Sequence, residues 1–138
     1  MNQERIFWPM IGMAFLTFVP LLLVAFKRIQ SSFQGRTTPD DYKLGESDRV
    51  PADISIPNRN YMNMLELPVL FYVLALALYV SHRVDTVFMV LAWTYVALRT
   101  VHSVIHLTYN RVQHRVVPFG ISNFVLITMW AVFALGLP

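Results

Sequence analysis

Four long apolar runs, separated by one long and two short polar stretches, set the pattern of this chain. Residues 7–26 contain no charged side chain. Twenty helical residues at 1.5 Å each reach about 30 Å, the thickness of a bilayer's hydrocarbon core. Similar runs predict spanning helices over residues 60–80, 86–106 and 116–137. The backbone of a lipid-immersed segment must satisfy its own hydrogen bonds. The predicted fold class is therefore all-α, an integral membrane four-helix bundle forming a single domain over residues 1–138. The SHRVD turn, residues 81–85, is so short that the helices on either side must be antiparallel neighbours. Pro20 predicts a kink in the first helix, and Lys27 and Arg28 predict its interfacial end. The first run reads as a retained helix rather than a cleaved leader, because its basic leader is weak and no small-residue cleavage site follows.

Residues 27–59 form a polar connection that holds most of the charge, with a turn signal at TTPDD. A connection of this length without a core of its own reads as an ordered cap or a lid over a site. The basic residues are unevenly shared. Lys27, Arg28, Arg36, Lys43, Arg49 and Arg59 belong to the first connection, and Arg111 and Arg115 to the third, against only Arg5 and Arg83 on the other side. The positive-inside rule then predicts both termini outside the cytoplasm and the connection at 27–59 cytoplasmic.

Composition agrees with the pattern. Hydrophobic residues make up 56% of the chain and charged residues 14%, where soluble domains carry about 25% charged, and the mean hydropathy is +0.50. The net charge of +3 is no more than such loops require, and nucleic-acid binding is excluded. There is no cysteine, which removes disulfides, thiolate nucleophiles and thiolate metal sites together. Any thiol chemistry must use a thiol brought by a ligand.

Candidate chemistry gathers at the start of the second span. Arg59, Asn63 and Glu66 follow one another at intervals of four and three residues, which stacks them on one helical face. Glu66 is the only carboxylate within a long apolar run. A charge at that depth costs about 2.5–3.5 kcal/mol on insertion scales, so Glu66 is expected to face the interior with Arg59 as a partner. The third span carries Arg99, His102 and His106 toward the same side of the membrane, with Tyr95 on their face. With Arg28, Arg111 and Arg115 they make a cationic cluster, suited to a ligand bearing several carboxylates and an ammonium group that Glu66 would take. The simpler alternative is that the arginines terminate helices and meet lipid phosphates. His102 and His106, four residues apart, have the spacing of metal ligands or of buried interhelical hydrogen-bond partners. Further ligands are lacking, since His82 belongs to the opposite side and His114 to a connection, and no metal site is assigned.

The second-span pattern, with Arg59, Asn63, Glu66 and then Pro68 inside NMLELPVLFY, resembles the MAPEG family, membrane-associated proteins in eicosanoid and glutathione metabolism. The likeness extends over most of the chain and is closest to the family's bacterial branch. It implies a homotrimer of four-helix subunits in the bacterial inner membrane, with glutathione as cosubstrate bound between neighbouring subunits at the cytoplasmic side. On that likeness Arg59, Asn63 and Glu66 would match glutathione-contacting positions, and Arg99, His102, His106 and Arg115, which converge on the same side, are candidates to bind it with them. Arg28, or Lys27 beside it, would fall where the family places a helix-one arginine, and Arg28 is the catalytic candidate, lowering the thiol pKa from about 8.5. The implied activity is that of a glutathione transferase or peroxidase acting on a lipophilic substrate drawn from the membrane. Where conjugating members commonly carry helix-three tyrosines, this chain has His102 and His106. Two other functions remain open: a non-catalytic accessory or structural subunit of a larger membrane complex, and a metal or haem redox protein using the two histidines.

Overall fold

A computed structural model describes residues 2–137. Every regular element among them is helical: α1 (Phe7–Phe33), α2 (Ala52–Leu65), α3 (Pro68–Val80), α4 (Thr86–Leu107) and α5 (Val112–Leu135), with single 3₁₀ turns at Gln3–Ile6 and Pro39–Tyr42. Four stretches are long and apolar enough to cross a membrane: Gln3–Phe33, Ala52–Val80, Thr86–Leu107 and Val112–Leu135. α1 packs chiefly on α2 and α4 on α5, and α4 also touches both α1 and α2.

The helices outrun the apolar segments that signal them. α1 continues past Lys27 and Arg28 because nothing breaks it before Gly35. That glycine adopts φ 66°, and the amides of Gly35 and Arg36 return to the carbonyls of Ser32 and Ser31, a glycine-terminated cap that closes the last turn. Lys27 and Arg28 therefore lie inside the helix and not at its end. Pro20 is accommodated within α1 without interrupting it. α2 begins at Ala52, eight residues before the apolar run, directly after Pro51. α5 begins at Val112, so His114 and Arg115 occupy its first turn rather than a loop. At the other end of the bundle, Asp85 caps α4 by accepting from the Phe88 amide at 2.9 Å. Gln3 exchanges two side-chain hydrogen bonds with the backbone of Val84, which pins the N-terminal turn to the α3–α4 corner.

The second span is not one helix. Pro68 has no N–H to give the Met64 carbonyl, and its ring crowds that turn. The chain breaks at Glu66 (φ −85°, ψ −107°) and restarts as α3 with Pro68 in the first turn, where proline is tolerated. The break divides the bundle into two halves. One is apolar, built from Met13, Phe71, Leu74, Leu78, Phe88, Ala92, Leu126 and Met129, with Phe71 stacked on Tyr95 at 4.8 Å. The other, where α4 meets α2 on one side and α5 on another, buries Asn60, Arg99, His102, Ser103, His106 and Ser122.

Candidate functional site

The polar half follows from one helical face. Tyr95, Arg99, His102 and His106 recur at intervals of four, three and four along α4, and all four are buried, so the face is turned onto α2 and α5. Across it, Asn60 of α2 donates to the Ser103 hydroxyl at 2.7 Å. Arg99 is 0% exposed and donates from Nη2 to the Asn63 carbonyl. Its guanidinium lies 5.3 Å from the centre of the Phe119 ring. The Nε and Nη1 of Arg99 have no hydrogen-bond partner in the protein. His102 Nδ1 meets the Arg115 carbonyl at 2.9 Å. His106 is 1% exposed, and neither of its ring nitrogens is bonded.

Where these residues meet the surface, a cavity of about 380 Å³ opens, bordered by Arg59 of α2, His106 of α4, and Arg115 of α5. Asn110, in the α4–α5 corner with φ 49°, also lines it and accepts from the Arg115 guanidinium. Residues from three helices that are remote in sequence thus surround one space.

The connection between α1 and α2 forms the remaining wall. It is tied down at several points. Asp53 receives Arg36 through two bonds of 2.8 and 3.3 Å and approaches Lys27 at 3.7 Å. Arg28 donates to Glu46 at 3.2 Å and lies over the Tyr42 ring at 4.5 Å. Asp41 gathers the middle of the connection, accepting from the Thr38 amide at 2.8 Å and the Ser47 hydroxyl at 2.8 Å. Those donors favour the charged carboxylate, the Thr38 amide most, and hold its pKa below the ordinary value. Glu46 and Asp48 bring this segment to the cavity edge.

The expected pairing of Glu66 with Arg59 does not form. Glu66 is exposed on the outer surface of the bundle, because the Pro68 break rotates it off the α2 face that carries Arg59 and Asn63. Asn63 contributes its main-chain carbonyl to Arg99. Arg28 is near the cavity but already engaged by Glu46. Three groups at the site, Asn60, Glu46 and Asp48, were not singled out by sequence reasoning. Asn60 had a detectable signal, an amide within a helix that also carries Arg59 and Asn63. Glu46 and Asp48 had none, because the connection lacks any periodicity that would set one acid apart from its neighbours. Among the described residues, no three His, Asp or Glu side chains gather to hold a metal ion.

Fold and site together define a four-span helical membrane protein whose bundle is apolar at one end and carries a buried polar cluster beside a cavity at the other. The model of the MAPEG family matches residues 6–135, and the chain belongs to that family. No curated protein and no solved structure is a significant match.

Proposed function

We propose that this MAPEG-family protein binds reduced glutathione, or a similar anionic thiol, and uses it as a transferase or peroxidase on a lipophilic substrate. The observation that carries the reading is the convergence of Arg59, His106 and Arg115 on one cavity of about 380 Å³, within the roughly 300–1,000 Å³ typical of small-molecule sites. Arginine suits it, because a guanidinium grips a carboxylate through two parallel bonds. The absence of cysteine fits a thiol that arrives with the ligand.

In this reading Arg59, Asn63, Arg99, His102, His106 and Arg115 hold the ligand's polar ends. The exposed Glu66 completes the site toward a neighbouring subunit of a homotrimer. Arg28 stabilises the thiolate, and to do so it exchanges Glu46 for the sulfur. The thiol proton passes to water. In transfer, the sulfur forms a bond to an electrophilic carbon as the leaving group departs with its electron pair. In peroxide reduction, the sulfur attacks one peroxide oxygen, the O–O bond breaks and the alcohol leaves protonated. A second glutathione then closes the sulfenic acid to a disulfide with loss of water. In this reading, which the positive-inside distribution supports for orientation, the cavity faces the cytoplasm at a bacterial inner membrane and both termini lie outside.

Calorimetric titration of the detergent-solubilised protein with reduced glutathione tests this. Saturable binding is expected, weakened about tenfold or more in Arg59→Ala, with the trimer mass unchanged by native mass spectrometry. Absence of binding by the wild-type protein, or undiminished binding by the variant, overturns the assignment. The occupation of Arg28 by Glu46 favours one second reading, a non-catalytic subunit of a larger membrane complex. Glutathione binding without turnover of any hydroperoxide or electrophile, together with a stable co-purifying partner, is its signature.

A further inference from the structure

At the end of the bundle away from the Arg59 cavity, a groove of about 450 Å³ lies between the N-terminal turn and the first half of α4, bordered by Arg5, Thr86, Met89, Val90, Trp93 and Thr94. The five α4 residues recur at i, i+3, i+4, i+7 and i+8, so they form one stripe along the helix. Eight steps of 1.5 Å give the stripe a length of about 12 Å, most of the roughly 15 Å that one leaflet's hydrocarbon occupies. Beyond Thr86 the stripe is apolar, because the Thr94 hydroxyl is spent on the Val90 carbonyl at 2.8 Å. The Trp93 ring rests against α1 at Gly12, where an added Cβ would already stand 3.5 Å from the ring.

Arg5 belongs to the turn that packs on the start of α4. It is exposed, and its guanidinium makes no hydrogen bond or ion pair among the described residues. Its place is nonetheless fixed. Gln3 exchanges hydrogen bonds of 3.3 and 2.8 Å with the Val84 backbone, and Ile6 is fully buried, so the turn that carries Arg5 is held against the α3–α4 corner. We propose that this groove is a site for one anionic phospholipid in the leaflet opposite the cavity. The phosphate lies on Arg5 beside the Thr86 hydroxyl, and an acyl chain runs along Met89, Val90 and Trp93. The site is independent of the thiol function.

Charge complementarity selects this occupant. A free cation at the head of an apolar stripe repeats the order of a phospholipid, headgroup and then chain, and basic side chains at a membrane surface attract anionic lipid. A neutral lipid would leave the guanidinium unanswered. A second copy of the chain fits less well, because the acids it would bring at this end are engaged: Asp85 accepts from the Phe88 amide at 2.9 Å, and Glu4 accepts from the Asn2 side chain at 3.5 Å. Arg83, the other cation at this end, is no rival anchor. It donates to the Phe133 carbonyl at 2.9 Å and lies 5.1 Å from the centre of the Phe133 ring.

Native mass spectrometry of the detergent-extracted protein tests the proposal, with phosphatidylglycerol and phosphatidylcholine of identical acyl chains added in equal amounts. One phosphatidylglycerol per subunit should be retained over phosphatidylcholine by about fivefold, the effect of a single cation on one net lipid charge. Arg5→Gln should lower that retention about fivefold. Val90→Trp, which fills the groove and leaves Arg5 in place, should lower retention of both lipids. Both positions are exposed, so the variants keep the fold. Equal retention of the two lipids by the wild-type protein, or undiminished retention of phosphatidylglycerol by Arg5→Gln, overturns the site. So does displacement of the lipid by glycerol 3-phosphate, which would mark a phosphate site with no use for the chain. If either variant splits an assembled form while its lipid content is unchanged, the groove is an interface between copies and the lipid site falls.

Discussion

Replacing Arg99 by methionine should stabilise the ligand-free protein while weakening its ligand. The side chain is fully buried, in the half of the bundle where α2, α4 and α5 meet. Its favourable contacts are few. One charge-assisted bond to the Asn63 carbonyl contributes about 1.5–3 kcal/mol. The approach to Phe119 adds about 0.5–2 kcal/mol. Against them stand two guanidinium donors without partners, at about 1–3 kcal/mol each, and the desolvation of the charge itself, several kcal/mol more. Methionine fills a similar volume and leaves no polar atom to satisfy. Replacements of buried charges by apolar groups are neutral or stabilising by about 1–4 kcal/mol, and the balance for Arg99 falls in that range.

The same substitution removes a cation from the proposed ligand site, so the two effects separate by assay. Thermal unfolding in detergent without ligand should give a Tm equal to or above that of the wild-type protein. With glutathione at one hundred times the wild-type Kd, the wild-type protein gains about 2.7 kcal/mol, and a tenfold weaker variant gains only about 1.4 kcal/mol. A ligand-free loss of about 3–5 kcal/mol would refute the reasoning. That is the cost of breaking a satisfied buried pair, and it would make Arg99 a structural residue. An undiminished ligand-induced shift would equally remove Arg99 from the site.

Two further outcomes follow from the same geometry. Asn60→Ala should lower stability by about 1–3 kcal/mol, since it strips the Ser103 hydroxyl of its buried donor at 2.7 Å. Glutathione affinity of the folded variant should stay within about twofold, because the cost falls on folding and not on binding, and a variant as stable as wild type would show that the pair contributes nothing. Asp41 sets a pH limit on the connection. Its pKa is lowered by folding, so its contribution is present above the unfolded carboxylate value, about 3.9, and is lost as pH falls through the lower folded value. Hydrogen exchange in residues 38–47, corrected for intrinsic rates, should stay slow at pH 5 and rise only once the pH falls below the ordinary carboxylate value. Asp41→Asn should exchange rapidly in both ranges, and an identical pH response in that variant would discard the explanation.

The membrane spans are legible in the sequence because an uncharged run of about twenty residues has few stable alternatives in a bilayer. Their ends are less so. Hydropathy fades at Lys27, yet helix geometry persists until a residue opposes it, and in α1 that residue is Gly35 with φ 66°. The same logic carries α2 back to Ala52 and α5 back to Val112, in each case through polar residues that hydropathy assigns to loops. The cationic part of the site is legible for the converse reason. Arg59, Arg99 and His106 are costly in an apolar segment, and helical spacing then places them on shared faces.

Pro68 explains why the acidic part was misplaced. Counting intervals from Arg59 to Glu66 assumes an unbroken helix, and a proline two residues beyond Glu66 makes that assumption fail at the residue in question. Glu66 is exposed and pairs with none of the arginines, so the charge that balances them within one subunit must come from elsewhere. The structure supplies it from the connection, through Glu46 on Arg28 and Asp48 at the cavity. Residues 34–51 contain several acids with no periodic pattern to distinguish them, and only the fold of that segment, gathered by Asp41 and tethered through Asp53, selects the two that reach the site. Asp48 and Glu66 therefore make opposite demands. One is a free carboxylate inside a subunit beside its own arginines, and the other is a carboxylate on the outer surface that only a neighbouring molecule can reach. An effect of Glu66→Gln on glutathione binding should accordingly require the assembled form, and an equal effect on a monomeric preparation would refute the outward placement.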